Sequence, residues 1–327
     1  MKATPSDSDT APAAPQPLYV RIDRIRQETE LIRSYRLVAL NGGELPAYEA
    51  GAHVGVVLPD GKTRYYSLCG DPDDRRQYLI GVQREDKGRG GSRLLHASAR
   101  EGRFLKLVPA RNHFPLTDGD SHLLIAGGIG ITPILAMAAS LQTRGIDYQL
   151  LYFVRTKQDV AFRDLLDPFL ASGRGQVISF SDPSDAPPLA ELLGAPRPGR
   201  HVYFCGSPGF MDWIESHLQD WDPAHVHKEN FHPATARPGD KPLTVTAARR
   251  QLDISVPADE SILHALRDAA VLIDSVCENG TCGTCRVAYL SGKPEHRDSV
   301  LTPEERQQYI ITCVSRADPG EPLVLDI

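Results

Sequence analysis

No stretch of this sequence stays apolar for anything near the roughly 20 residues that a membrane-spanning helix requires, so a partner membrane is not expected. The opening segment MKATPSDSDTAPAAPQP lacks the apolar stretch of a secretory signal. Rich in Pro, Ala, Ser and Asp, it is expected to form a disordered leader over residues 1–17. Basic charge is in short supply: 36 Lys+Arg face 42 Asp+Glu, a net charge of −6, which argues against a nucleic-acid partner. From Lys241 onward nine basic residues face thirteen acidic ones, so −4 of that excess sits in the last quarter, as a solvated surface or as a docking face for a more basic protein. Cysteine is scarce too, with six in 327 residues, which fits poorly with a disulfide framework. These absences point to a cytoplasmic protein, and the length points to two or three domains.

The few cysteines are not scattered. In the stretch SVCENGTCGTC, Cys277, Cys282 and Cys285 stand in C-x4-C-x2-C order, and Cys313 follows after a further interval. That is the plant-type spacing for a 2Fe–2S cluster, in which two irons take four thiolates. Gly280 and Gly283 let the loop turn its backbone N–H groups toward the sulfurs. Four cysteines can also hold zinc tetrahedrally, but zinc sites pair two short knuckles, whereas here three ligands crowd one loop.

Residues 18–115 read as short strands between turns. YVRIDRI, IRSYRLVAL, HVGVVL, YYSLCG, YLIGVQR and RFLKLV are rich in Val, Ile, Leu and Tyr, and Asn41-Gly42-Gly43, Pro59-Asp60-Gly61 and Gly70-Asp71-Pro72 supply turn chemistry between them. Six strands with one helical insert, SRLLHASA, predict a small antiparallel β-barrel. Two segments in it carry chemistry. Arg64-Tyr65-Tyr66-Ser67 places a cation, aromatic rings and a hydroxyl on one strand, with alternation sending Arg64 and Tyr66 to one face and Ser67 to the other. Gly88-Arg89-Gly90-Gly91-Ser92 precedes the helical insert, where free N–H groups and the helix dipole favour an anion. Taken singly, the first also reads as an ordinary exposed edge and the second as a flexible loop.

Over residues 116–232 strands alternate with helices, the mark of a parallel sheet. HLLIAG runs straight into Gly127-Gly128-Ile129-Gly130-Ile131-Thr132-Pro133. Thr132 suits an N-cap and Pro133 the first helical position, and the glycines permit a pyrophosphate to approach the helix N-terminus. YQLLYFV, QVISF and HVYFCG follow as strands, the last ending in Cys205-Gly206-Ser207-Pro208, where ligands of open sheets collect. Read alone, Cys205 is equally a small buried hydrophobe. Arg155 and Lys157 follow the second strand, where a 2′-phosphate could be read.

ATARPGDKP, within a linker over 233–242, separates a last unit at 243–327. There LTVTAAR and LDISV form a hairpin, and SILHALRDA forms a helix with Ser261 as N-cap. RVAYLSG, a short helix after Thr302-Pro303 and a final strand LVLDI complete a β-grasp pattern, with His264 expected to be only a helix residue.

The order of these units, with CENGTCGTCR and HRDSVLT…CVSRA in the last, resembles the phthalate dioxygenase reductase family, which includes vanillate demethylase reductases. The resemblance covers nearly all of the chain beyond residue 17. It implies a flavin site in which Arg64 and the Gly90-Gly91-Ser92 loop hold the phosphate of FMN, Tyr65, Tyr66 and Phe231 lie about the ring system, and Ser67 approaches its reactive edge. It implies an NAD site at Gly127, Gly128, Gly130, Thr132 and Pro133, with Cys205 and Gly206 near the nicotinamide. NADH is expected over NADPH, since relatives that use NADH also carry basic residues at the positions of Arg155 and Lys157. No residue is expected as a catalytic acid or base. The implied role is electron transfer from NADH through FMN and the cluster to a Rieske-type terminal oxygenase, by a protein expected to be a monomer. A haem monooxygenase as partner is the alternative, and a redox-sensing iron–sulfur module is the alternative from another class.

Overall fold

A computed structural model describes residues 17–86, 90–181, 185, 187–231, 237, 239–275, 280, 283–298 and 300–327. The N-terminal unit is a six-stranded antiparallel sheet of β1 (Leu18–Gln27), β2 (Ile32–Ala39), β3 (Ala52–Val57), β4 (Thr63–Ser67), β5 (Tyr78–Gln83) and β6 (Phe104–Asn112). A helix, α1 (Gly91–Ser98), stands between β5 and β6. The strand order β4-β3-β6-β1-β2-β5 leaves β4 and β5 as edges. They meet at one bridge, Leu68 with Ile80, beside the bond from Cys69 N to Leu79 O (2.9 Å), so the barrel closes at that end alone. Alternation explains the strands: Val20 and Ile22 are fully buried while Arg21 between them stays outside. Bulges between Ile22 and Arg24 and between His53 and Gly55 curl the sheet around this core.

The second unit is a five-stranded parallel sheet of β7 (Ser121–Gly127), β8 (Asp147–Val154), β9 (Gly175–Ser179), β10 (Arg200–Gly206) and β11 (Val226–Asn230). Helices α2 (Ile131–Arg144), α3 (Arg163–Ala171), α4 (Leu189–Leu193) and α5 (Pro208–Glu215) connect and cover it. Leu123 and Ile125 of β7 face one core, with Met211 and Trp221, whereas Leu124 and Ala126 face the other, with α2. Burial on both faces is why this strand reads as an unbroken apolar run. The order β11-β10-β7-β8-β9 reverses direction between β7 and β10. The strand β11 was not anticipated from VHKEN, whose polar residues gave no strand signal.

The third unit carries β12 (Leu243–Ala247), β13 (Leu252–Val256), α6 (Ile262–Asp268), β14 (Arg286–Ser291), β15 (Pro294–Glu295), β16 (Tyr309–Ile311), β17 (Arg316–Ala317) and β18 (Leu323–Leu325). Its main sheet has the order β13-β12-β18-β14-β16, with β18 parallel to β12, and β15 pairs with β17 apart from it. Ser261 caps α6 as expected, accepting from His264 N at 3.2 Å. The segment after Thr302-Pro303 forms only a 3-10 turn, held by reciprocal bonds between Thr302 and Glu305. Arg316, 2% exposed, ties the unit together by donating to the carbonyls of Lys241, Pro257 and Glu260. Arg297, equally buried, holds Asp240 with two bonds of 2.8 and 2.6 Å. Among the described residues no helix is long and apolar enough to cross a membrane.

Candidate functional site

A cleft of about 1570 Å³ runs between the three units. The first unit lines it with Arg64, Tyr65, Tyr66 and Ser67, and with Gly90, Gly91 and Ser92. The expected split of Arg64 and Tyr66 from Ser67 does not separate them, because β4 is an edge strand and the cleft wraps around its open side. Tyr66 leans on the barrel core, and Tyr65 meets His53 edge-on, ring centroids 5.4 Å apart. The Arg64 stem rests on the bare backbone of Gly91, where a Cβ would lie 2.6 Å from Arg64 Nε and push that side chain aside. Gly90, at φ 81, occupies the left-handed conformation that opens α1. Ser92 Oγ accepts from Glu85 N at 2.9 Å, which fixes the helix start to the end of β5. Together these supply a cation, free N–H groups at a helix N-terminus and aromatic walls, a cradle of the kind a flavin phosphate and ring system need.

The second unit contributes Ile129 and Thr132 from around the start of α2 and Lys228, Glu229, Asn230 and Phe231 from the end of β11, whereas Gly127, Gly128, Gly130, Pro133, Cys205 and Gly206 are not among the lining residues. β7 and β10 flank the reversal of strand order, the place where parallel sheets bind ligands beyond their carboxyl ends. The helix after β7 starts differently from the sequence reading. Gly128–Gly130 form a 3-10 turn and α2 begins at Ile131, so Gly130 is the cap position, and Thr132 and Pro133 are the second and third helical residues. The Thr132 hydroxyl donates back to Ile129 O (3.0 Å) rather than capping. Pro133 remains harmless, since its missing N–H would have had no partner in the first turn. A Cβ on Gly130 would lie 2.2 Å from Cys205 O, so α2 rests directly on the end of β10. Gly206 likewise leaves room for Phe210, whose ring would be 2.4 Å from a Cβ there.

Across β10 and β11, Cys205 pairs with Glu229 and Gly206 with Asn230. The Cys205 thiol is fully buried, and desolvation first and Glu229 second push its pKa well up, so it is held as the neutral thiol. Glu229 was not among the residues singled out in the sequence. Its Oε2 is sealed from solvent with no hydrogen-bond partner, and this desolvation raises its pKa to about 8 against a hydrogen bond from Ser67 that lowers it. Ser67, Glu229 and Cys205 therefore converge from β4, β11 and β10, and Phe231 lines the same cleft. The joining residue was missed because a lone Glu on a polar strand carries no sequence signal.

Arg155 and Lys157 are exposed after β8. Between them and α3, Asp159 Oδ2 accepts from both the N–H (3.0 Å) and the hydroxyl (2.8 Å) of Thr156, placing a carboxylate among the basic residues. A 2′-phosphate would meet that negative charge.

Of the cysteine set, Cys277 and Cys282 lie outside the described residues. Cys285 and Cys313 are each 1% exposed and share an apolar cluster with Leu263, Leu301, Ile311 and Val314. Thr312 joins the two segments, its hydroxyl donating to Cys285 O at 3.0 Å. Gly280, at φ 83, would put a Cβ 2.7 Å from Val314, and Gly283 is also left-handed. Two buried thiols in an apolar pocket, beside a loop that requires glycine, fit a thiolate-held iron–sulfur group. The cleft's third wall, formed by Ser261, His264, Arg267, Leu272 and Ile273, belongs to this unit.

Two of the three units match family models. Residues 245–318 match the 2Fe-2S iron-sulfur cluster binding domain family, and residues 124–216 match the oxidoreductase NAD-binding domain family. The solved structure of phthalate dioxygenase reductase, described as a modular structure for electron transfer from pyridine nucleotides to [2Fe-2S], superposes with a TM-score of 0.77 at 38% identity, covering 95% of this chain and 98% of that one. The phthalate dioxygenase reductase of Burkholderia cepacia is 39% identical over 90% of this chain and 93% of its own. The chain belongs to the phthalate dioxygenase reductase family. The tert-butanol monooxygenase / tert-amyl alcohol desaturase reductase subunit of Aquincola tertiaricarbonis is 40% identical, covering 95% of this chain and 96% of the relative. The heme-dependent oxidative N-demethylase beta subunit of Ectopseudomonas mendocina (strain ymp) is 41% identical, covering 95% and 99%. As a member of this family the protein is an NADH-dependent oxidoreductase, the reductase component of an oxygenase system, with an NAD-binding domain and a 2Fe–2S cluster domain.

Proposed function

We propose that this reductase draws electrons from NADH into the three-walled cleft and delivers them through the Cys277, Cys282, Cys285 and Cys313 site to a Rieske-type terminal oxygenase. The observation that carries the reading is the convergence of three units on one cleft. Bound there, FMN would supply the conversion between the two-electron chemistry of NADH and the one-electron chemistry of the cluster. The chain's residues bind, orient and insulate. Arg64, with Gly90, Gly91 and Ser92, would hold the FMN phosphate, and Tyr65, Tyr66 and Phe231 would confine the ring system. Gly127, Gly128 and Gly130 would admit the pyrophosphate of NADH to the start of α2 beside Thr132 and Pro133, with Cys205 and Gly206 closing on the nicotinamide. Glu229, neutral at pH 7, would keep charge away from that point while the Ser67 hydroxyl binds it. The four cysteines would supply thiolates, which the irons prefer to oxygen.

Purified protein should hold one FMN and two irons per chain and reduce a dye acceptor faster with NADH than with NADPH, compared as kcat/KM. Bound FAD, stoichiometric zinc, or preference for NADPH would overturn the respective part. A haem oxygenase as acceptor is the second reading, favoured by the N-demethylase relative named above. Reconstitution with purified oxygenases of both types decides between them, the true partner being the one that turns over with NADH.

A further inference from the structure

A side chain behind the cleft, with no contact to its open face, has an unusual conformation and an unusual pair of neighbours. Phe162 ends the segment between β8 and α3 at φ 56, left-handed, a conformation that a bulky side chain adopts only when its surroundings enforce it. It is 2% exposed. Its N–H donates at 3.0 Å to Oε2 of Glu28, which projects from the end of β1 in the other unit. The Glu28 carboxylate has a side-chain exposure of 5% and is itself held by the Ser34 hydroxyl at 2.7 Å. The grip therefore crosses the seam between barrel and parallel sheet through a buried charge-assisted bond.

The ring points at Gly81 of β5. A Cβ on Gly81 would lie 2.6 Å from Phe162 Cζ and 2.7 Å from Thr132 Cγ2, so barrel backbone, aromatic ring and the first turn of α2 meet with no space between them. Gly81 and Thr132 both line the cleft, one on the barrel side and the other where α2 begins. Ile32, Cys69 and Phe114 of the barrel join Ile131, Leu135 and Phe162 in a single core cluster, so the seam transmits displacement as a packed solid does.

We propose that Phe162 is a positioning residue: gripped by Glu28, it wedges between Gly81 and Thr132 and sets the spacing at which the flavin and nicotinamide rings meet. This rests on the cleft being the FMN and NADH site. Ring-to-ring transfer depends steeply on separation, and a misplacement of about 1 Å can cost on the order of 100-fold in rate. A wedge made of packed atoms on both sides is a means of holding that spacing without a residue that touches either cofactor.

The test uses the full-length, FMN-loaded protein and the variants Gly81→Ala, Phe162→Leu, their double mutant and Asp164→Asn. Gly81→Ala adds a methyl where the contact leaves no room, so it should lower the saturating rate of flavin reduction by NADH at least tenfold. It should also weaken the long-wavelength absorbance of the complex between reduced flavin and NAD+, with unchanged FMN content, cluster spectrum and reduction by dithionite. Phe162→Leu shortens the wedge and should lower the rate with FMN retained. In the double mutant the shorter side chain accommodates the methyl, so part of the loss should be regained. Asp164, exposed and paired with Arg26 across the same seam, should be replaceable without effect. Parental rates and absorbance in both single variants would overturn the proposal, as would an equal loss in Asp164→Asn, or losses that merely track the unfolded fraction in thermal melts. If Gly81→Ala does not retain FMN, Phe162→Leu alone decides. Failure of the unmodified protein to bind FMN or accept electrons from NADH would instead refute the reading of the cleft.

Discussion

Ser67, Glu229 and Cys205, which gather beside the cleft, differ in how visible they are to a reader of the sequence. Ser67 and Cys205 sit in short motifs whose chemistry can be read locally, Arg-x-Tyr-Ser and Cys-Gly. Glu229 is in no motif and acquires its environment from β10 alongside and from Ser67, far earlier in the chain and in another unit. Its raised pKa yields a definite pH effect. A carboxyl that stays protonated in the folded state up to about pH 8, but ionises near 4.5 once unfolded, contributes stability that is fully present below 4.5 and is lost as pH rises through 8. Glu229→Gln keeps the shape and removes the titration. Melting temperatures taken from pH 5 to 8 should fall less steeply in the variant, the difference amounting to on the order of 3 kcal/mol across the window. Identical slopes would mean that Glu229 is ionised in the folded protein.

Among the elements, the strands that bury both faces and the helices with apolar stripes were legible, because each carries its own periodicity. The starting point of α2 was not, since Thr132 and Pro133 satisfy local capping rules equally well two positions away, and contact of Gly130 with the end of β10 decides the matter. β11 was illegible for a related reason: it is a strand because β10 offers it an open edge. Its His227 stacks on Tyr203 at 4.3 Å and bonds His201, Nε2 to Nδ1, at 2.9 Å. Burial, then His201, His122 and His225, hold its pKa down to about 4. Stability is thus complete above the ordinary value of 6.5 and is lost as pH falls through 4. Replacing His227 by Phe should preserve the stack and flatten the acid side of the stability profile between pH 6.5 and 4.5, measured by denaturant unfolding. The linker is a further element with a clear weak point. Asp240→Asn should cost about 1–3 kcal/mol, because the Arg297 side chain would lose one of its two charged partners and keep only Glu295, and unfolding followed through the cluster absorbance should show it first in the last unit.

For the whole molecule, the division into flavin, nicotinamide and iron–sulfur units was readable because each announces itself by a different repeat pattern or ligand spacing. The way they meet was not, since surfaces that join units carry no periodicity: Glu28, Gly81 and Phe162 read individually as nothing. The division makes its own prediction. Cys285→Ser should lose or weaken the cluster while the other two units, with cores of their own, keep FMN. NADH-dependent ferricyanide reduction should then stay near the parental rate while transfer to a protein acceptor collapses; full transfer by a variant shown to lack iron would remove the cluster from the pathway. The order of strands in the last unit carries a consequence for biosynthesis. β18, near the end of the chain, lies in the middle of its sheet between β12 and β14. As the ribosome releases the chain, β12 must wait with one edge unpaired until almost everything after it has emerged. The iron–sulfur unit therefore completes its fold only after β18 has been made, with the flavin and nicotinamide units, earlier in the chain, already free to assemble.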